Sequence, residues 1–274
     1  MPLIDIHLHA ASASQWNPWV NEYFETTNLE FLECYAEVIT PDDFDDYLVS
    51  QGVDYGVCLA EYAPKATGVV TNEWLSDFCK NHERLVPFGS ICMYEGPEPA
   101  DQVEKCIKEL GCKGLKLLPS YSHFWPDDPR ILPAYETAQD LGIPVMFHTG
   151  TSIFKGTRIK YADPLLLDDI ADDFPHLKIV MCHGGRPFWY SQAEWMLRRH
   201  KNVFIDLSGI PLRKIAEIFP HIEKLRDKFI FGSDWPTVPS ISGQVQILKA
   251  LPLSQELLES ILWKNAARLI GLQL

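Results

Sequence analysis

Four of the nine histidines in this chain stand where an apolar run comes to an end. They occur in Asp5-Ile6-His7-Leu8-His9, Phe147-His148-Thr149-Gly150 and Cys182-His183-Gly184-Gly185. A fourth run, Phe229-Ile230-Phe231-Gly232-Ser233-Asp234, leads straight into a carboxylate. In a strand the two-residue period puts Asp5, His7 and His9 on one face and Ile6 and Leu8 on the other. Two neighbouring imidazoles repel when charged and need partners when neutral and buried. A shared divalent metal answers both needs, since neutral imidazole is a common ligand of Zn²⁺. His-x-His alone is a weak signal, and His148 and His183 at equivalent positions strengthen it. Asp234 either caps the turn before Pro236 or completes a coordination set and takes a proton from water. Metal binding lowers the pKa of such water to about 7. A nucleophilic serine or cysteine is not indicated: there is no Gly-x-Ser-x-Gly elbow, and the cysteines lack electropositive neighbours.

The elements that must hold these residues alternate along the chain. Strands are expected at 3–8, 55–60, 85–91, 114–118, 144–147, 178–182, 203–207 and 229–232. All are apolar on both faces, as parallel strands covered by helices are. Helix starts are marked by Thr40-Pro41-Asp42-Asp43 and Asp163-Pro164, with Pro129 and Pro211 near others. Eight such units over 274 residues are the size of a (β/α)8 TIM barrel, an α/β fold read here as a single domain, 1–274. A doubly wound sheet competes, but its glycine-rich fingerprint is missing after the first strand. In a barrel, His7, His9, His148, His183 and Asp234 gather at the C-terminal mouth. His82, His176, His200 and His221 fall in helix-to-strand segments on the opposite face, where exposed or helix-terminal histidines are expected. Two long connections, at about 10–40 and 119–129, follow strands and should form the pocket rim. The first carries Trp16, Trp19, Tyr23, Phe24, Phe31 and Tyr35, and the second carries His123.

Composition narrows the partners. A net charge of −13 without a basic cluster argues against nucleic acid and anionic membranes. The seven cysteines form no Cys-x-x-Cys pair and mostly sit in apolar runs, as buried reduced thiols do. No stretch reads as a secretory leader or a membrane span, so the expected location is the cytoplasm.

Lys113-Gly114-Leu115-Lys116-Leu117-Leu118-Pro119, Gly232-Ser233-Asp234-Trp235-Pro236 and Asn265-Ala266-Ala267-Arg268-Leu269 complete an ordered set with the histidine motifs. Together they resemble the amidohydrolase superfamily over essentially the whole chain, in its branch related to aminocarboxymuconate-semialdehyde decarboxylase. The resemblance implies one divalent metal, with Zn²⁺ favoured and Mn²⁺ or Fe²⁺ compatible, and no organic cofactor. His7, His9, His148 and Asp234 would be its ligands. Asp234 would also move protons, and His183 would be a second catalytic group. Lys116 either neutralises a substrate carboxylate or, when carboxylated, bridges a second metal. Where the family often has Lys-Leu-His-Pro, this chain has Leu118 in place of the histidine. Arg186, Arg158 and Trp235 are further candidate substrate contacts, and the Asn265 segment is expected only to pack. Family members are often dimers, so a homodimer is possible.

The leading expectation is hydrolysis of a small carboxylated or cyclic substrate (a lactone, amide or ester), with metal-bound hydroxide as nucleophile. The alternative keeps the metal site for a non-oxidative decarboxylase or hydratase of an aromatic or muconate-type acid. A non-catalytic metal-binding barrel ranks last, because its histidines line a pocket without thiolates.

Overall fold

The computed structural model describes residues 1–27 and 39–273; Phe31 and Tyr35 of the expected rim lie outside the described residues. The strands in chain order are β1 (Ile4–Leu8), β2 (Tyr55–Leu59), β3 (Glu61–Ala63), β4 (Gly68–Val70), β5 (Leu85–Phe88), β6 (Leu115–Leu117), β7 (Pro144–His148), β8 (Lys178–Cys182), β9 (Val203–Asp206) and β10 (Phe229–Ile230). β3 and β4 form a small antiparallel hairpin at the mouth. The other eight are the expected strands, and they pair in parallel in two runs, β1-β2-β5 and β6-β7-β8-β9-β10. A bridge between Gly89 and Leu115 joins the runs on one side. On the other, Leu8 bridges Trp235 and the Ile6 N–H donates to the Phe231 carbonyl at 3.1 Å. The sheet therefore closes into a (β/α)8 barrel.

Burial on both faces explains why the strands read as unbroken apolar runs. Ile6, Val57, Val86, Met146, Val180 and Ile230 come from strands around the circumference and meet in one buried cluster that fills the barrel. Phe147 points the other way, its ring centroid 5.6 Å from that of Tyr135 in the helix Leu132–Asp140. The helix Pro41–Ser50 begins as its sequence suggests, with Thr40 Oγ1 accepting the Asp43 N–H. Asp163 likewise accepts the Leu165 N–H, although the turn it opens, Pro164–Leu167, is a 3₁₀ turn preceding the helix Asp168–Asp173. Of the histidines away from the mouth, His200 is helix-terminal as expected, the C-cap of the helix Tyr190–Arg199, and it is buried with its Nε2 2.6 Å from Asp168 Oδ1. No described helix is long and apolar enough to cross a membrane.

Candidate active site

The site begins with an irregularity in β1. Asp5 pairs with Gly56 and Leu8 with Cys58, so β1 uses one residue more than β2 over the same stretch. Such a bulge re-aims the side chains beyond it. Ile4 and Ile6 consequently face the barrel interior, Leu8 packs outside, and His7 and His9 turn into the mouth. This corrects the expected grouping of Asp5, His7 and His9 on one face. Asp5 instead braces the bulge, its Oδ1 accepting the backbone N–H groups of His7 and Ser233, each at 3.0 Å. Burial raises the Asp5 carboxyl to about 7.

Hydrogen bonds then decide which imidazole nitrogens keep lone pairs. His7 Nδ1 lies 2.6 Å from Asp206 Oδ2, so it carries the proton and leaves Nε2 free to accept. His183 Nδ1 lies 3.0 Å from the Ser208 carbonyl, which can only accept. His183 Nε2 is therefore an acceptor, and it takes the Nδ1–H of His148 at 3.1 Å. That leaves a lone pair on His148 Nε2, a buried atom with no partner. His9 turns its Nδ1 toward Glu61 Oε2 at 3.5 Å.

Three acceptors consequently meet. His7 Nε2 and His9 Nε2 are 3.2 Å apart, and each is 3.3 Å from Asp234 Oδ1. Tetrahedral ligands about 2.0 Å from a zinc centre stand about 3.3 Å from one another, so this triangle has the edge of a metal's ligand shell. The donors and their spacing fit a divalent metal. His148 lines the same cavity and its Nε2 is free, but its nitrogens stand outside the group formed by His7, His9 and Asp234. Lys116 Nζ donates to His7 Nε2 at 2.8 Å and to Cys182 Sγ at 3.4 Å.

Electrostatics favour the same chemistry. Burial and the Lys116 ammonium lower His7 to about 4. Burial, helped by Arg186, holds His148 and His183 well below the ordinary imidazole value. Burial alone would raise Asp234, but His7, His183, His9 and Arg186 outweigh it and keep the carboxyl well below its usual range. At neutral pH the set is an ionised carboxylate among mostly neutral imidazoles, the form in which each group binds metal. His183 and Asp234 share another property: both have φ of 65°. Non-glycine residues in this region cost about 1 kcal/mol or more, and such strain gathers at functional sites.

Above this floor is a cavity of about 360 Å³ walled by Trp16, Tyr23, Phe24, Tyr121 and Phe154. Tyr121 meets His148 edge-on at 4.6 Å, and Tyr23, in the first rim connection, meets Phe154, in the loop after β7, likewise at 5.3 Å. Arg186 lines the cavity, its Nη1 3.6 Å from Asp234 Oδ2. The structure does not bring Arg158 in: it is exposed and its backbone N–H donates to Ser120. Trp235 is buried outside the cavity lining, against Phe44 and Tyr47 at 5.1 and 5.2 Å. His123 Nε2 lies 2.5 Å from the Gly156 carbonyl.

Sequence reading missed Asp206, Ser208 and Glu61. Asp206 ends β9 and Glu61 opens β3, so both stand at strand ends as the histidines do. Their position was therefore a usable signal. Ser208 Oγ, 3.0 Å from His7 Nδ1 and 2.8 Å from His183 Nδ1, gives none.

Among known proteins, the chain is 26% identical over 225 residues to 2-amino-3-carboxymuconate-6-semialdehyde decarboxylase of Dictyostelium discoideum. That match covers 70% of this chain and 63% of the relative, so the chain spans under two thirds of the relative's length. It is 24% identical over 249 residues to gamma-resorcylate decarboxylase of Polaromonas sp., covering 73% of this chain and 75% of that one. The structure superposes with a TM-score of 0.74, at 18% identity and with 99% of this chain and 97% of that one covered, on a Polaromonas dihydroxybenzoic acid decarboxylase. That protein was solved with bound manganese and the inhibitor 2-nitroresorcinol. The family described as Amidohydrolase matches residues 4–272, and the chain belongs to it, in the branch related to aminocarboxymuconate-semialdehyde decarboxylase.

Proposed function

We propose that this protein is a metal-dependent, non-oxidative decarboxylase of a flat carboxylic acid. The observation that carries the reading is the convergence of His7 Nε2, His9 Nε2 and Asp234 Oδ1 on the floor of an aromatic-walled cavity. The same floor would serve hydrolysis, the first expectation from sequence. Two features favour decarboxylation: the aromatic walls suit a planar ring, and the two relatives described above are named decarboxylases.

His7, His9, His148 and Asp234 would hold one divalent cation, Zn²⁺ or, as in the Polaromonas structure, Mn²⁺. When bound it supplies a Lewis acid that draws electron density from a substrate oxygen. A second ion is disfavoured. The other described cluster of possible ligands, His7, Cys182 and Asp206, shares His7 with the first, and burial keeps its Cys182 thiol protonated. Asp234 is ionised at neutral pH, so it first takes a proton, from water or a substrate hydroxyl, and then delivers it to the ring carbon bearing the carboxylate. The carbon–carboxylate bond breaks, its electron pair returns to the ring, and CO₂ leaves. His183, neutral and fixed by Ser208, keeps His148 oriented and offers a polar neighbour to the substrate.

The test is to load the protein with Zn²⁺ or Mn²⁺ and supply hydroxybenzoates, aminobenzoates and muconate-type acids in D₂O. Decarboxylation releases CO₂ and places one deuterium on the vacated carbon. Opening of lactones or esters with no CO₂ from any acid would return the reading to a hydrolase.

A further inference from the structure

Of the three charged side chains in the cavity left over by this metal set, Lys116, Arg186 and Glu61, the last two stand at opposite ends of a row. Arg186 Nη1 lies 3.6 Å from Asp234 Oδ2, Asp234 Oδ1 lies 3.3 Å from His9 Nε2, and His9 Nδ1 lies 3.5 Å from Glu61 Oε2. The floor therefore runs from a guanidinium at one end to a carboxylate at the other. Glu61 is buried and its Oε1 has no hydrogen-bond partner, so it has acceptor capacity to offer.

Cations are scarce here. Among the described residues lining the cavity only Lys116 and Arg186 carry positive charge, and Lys116 Nζ lies 2.8 Å from His7 Nε2, beside the atom that would bind the ion, and 3.4 Å from Cys182 Sγ. Residues 28–38 contain three glutamates and no lysine or arginine, so that segment brings none. Arg186 is the cation at the end of the row opposite Glu61, and its seat is specific. Gly209 has φ of +62°, and a Cβ built there would fall 1.3 Å from Arg186 Nη1. The guanidinium lies across the backbone of Gly209, a place that a side chain at 209 would occupy.

Resting on the decarboxylase reading, we propose that the cavity selects rings bearing one carboxylate and one hydrogen-bond donor, and discriminates against rings with two carboxylates. Arg186 receives the carboxylate, a pairing that guanidinium geometry makes strong. Glu61 accepts the donor, a hydroxyl or amino group. A second carboxylate at that end meets like charge instead, and such a mismatch is an effective device of specificity.

The experiment is calorimetric titration of the Mn²⁺-loaded protein with 3-hydroxybenzoate, isophthalate and phenol. 3-Hydroxybenzoate should bind at least about tenfold more tightly than isophthalate or phenol, each of which lacks one favourable contact. Arg186→Lys and Gly209→Ala should each weaken 3-hydroxybenzoate about tenfold and leave phenol unchanged, because the first removes the planar fork and the second evicts it. Glu61→Gln should narrow the gap between 3-hydroxybenzoate and isophthalate. Isophthalate binding as tightly as 3-hydroxybenzoate, or an acid-to-phenol ratio indifferent to Arg186→Lys, overturns the proposal. Parallel CO₂ measurements separate it from its premise. Turnover that prefers dicarboxylates rejects the selection and keeps the decarboxylase. The binding pattern with no CO₂ from any acid keeps the selection and rejects the decarboxylase.

Discussion

His7 Nδ1 and Asp206 Oδ2 lie 2.6 Å apart, with both side chains fully shielded from solvent. The contact is made across 199 residues of sequence, between the first and seventh strands of the barrel. It fixes the His7 tautomer and aims Nε2 at Asp234. Partners of this kind orient a ligand and raise its basicity, and their loss typically costs about 10–100-fold in metal affinity. Asp206→Ala should therefore weaken metal binding by about that factor although Asp206 itself is no ligand. Competition with a chromogenic chelator measures it. An unchanged affinity would show that His7 is held without Asp206.

The pH dependence of metal binding should follow one proton. Burial would lower His9, but hydrogen bonds and charge from Asp234 and Glu61 overcome it and hold its pKa above the ordinary imidazole value. His7, at about 4, and His148, well below its usual value, are already neutral near pH 6. Only the His9 proton must leave for metal to enter. Since a raised pKa means the proton is bound in the metal-free protein, affinity should fall as pH falls, about tenfold per unit below the His9 pKa. Titrations between about pH 5.5 and 8 test this. A steeper slope, of two or three protons, would mean that the other imidazoles also titrate there.

Asp5 carries a prediction about folding. Its Oδ1 accepts two buried N–H groups at the β1 bulge. Asp5→Leu strips both of their acceptor and should destabilise the metal-free protein by about 2–4 kcal/mol, whereas Asp5→Asn keeps the oxygen. The pH trend has a definite sign. An acid raised by burial to about 7 from an unfolded value of 3.8 binds protons preferentially in the folded state. Wild-type stability should then fall as pH rises through that window, and Asp5→Asn should gain on wild type from pH 5 to pH 8. Urea denaturation at both pH values gives the comparison. Equal stability of the Leu and Asn variants would dismiss the brace.

The barrel was legible because each of its strands is buried on both faces and says so in composition. The strand-end rule also located His7, His9, His148, His183 and Asp234, since topology alone brings strand ends to one mouth. The rule does not say which way a side chain points. The period of two placed Asp5 beside His7, and one extra residue in β1, invisible in an apolar run, reversed that. Trp235 follows Asp234 directly and yet packs away from the cavity, because Asp234 takes φ of 65° and turns the chain. Arg158 sits in a loop whose course no local pattern specifies. Glu61 and Asp206 were missed for another reason: a carboxylate at a strand end reads as an ordinary turn until an imidazole from a distant strand is seen against it.

Asn265 separates stability from the site. Strand β10 has only two residues, Phe229 and Ile230, yet it leads to Asp234. Asn265, buried at the start of the helix Asn265–Ile270, donates from Nδ2 to the carbonyls of Arg226 and Phe229, both at 2.8 Å. These bonds tie the closing helix to the approach of β10. Asn265→Ala leaves two carbonyls short of a donor and should cost about 1–3 kcal/mol. Asn265→Asp should cost more, since it sets a carboxylate oxygen against those carbonyls. The Phe231 N–H still donates to Ile261, and Asp234 N–H to the His7 carbonyl at 3.0 Å, so Asp234 keeps its place. Metal affinity in Asn265→Ala should accordingly stay within about twofold of wild type while the urea midpoint falls. A loss of metal affinity in step with stability would mean that the closing helix positions Asp234 as well as holding the barrel shut.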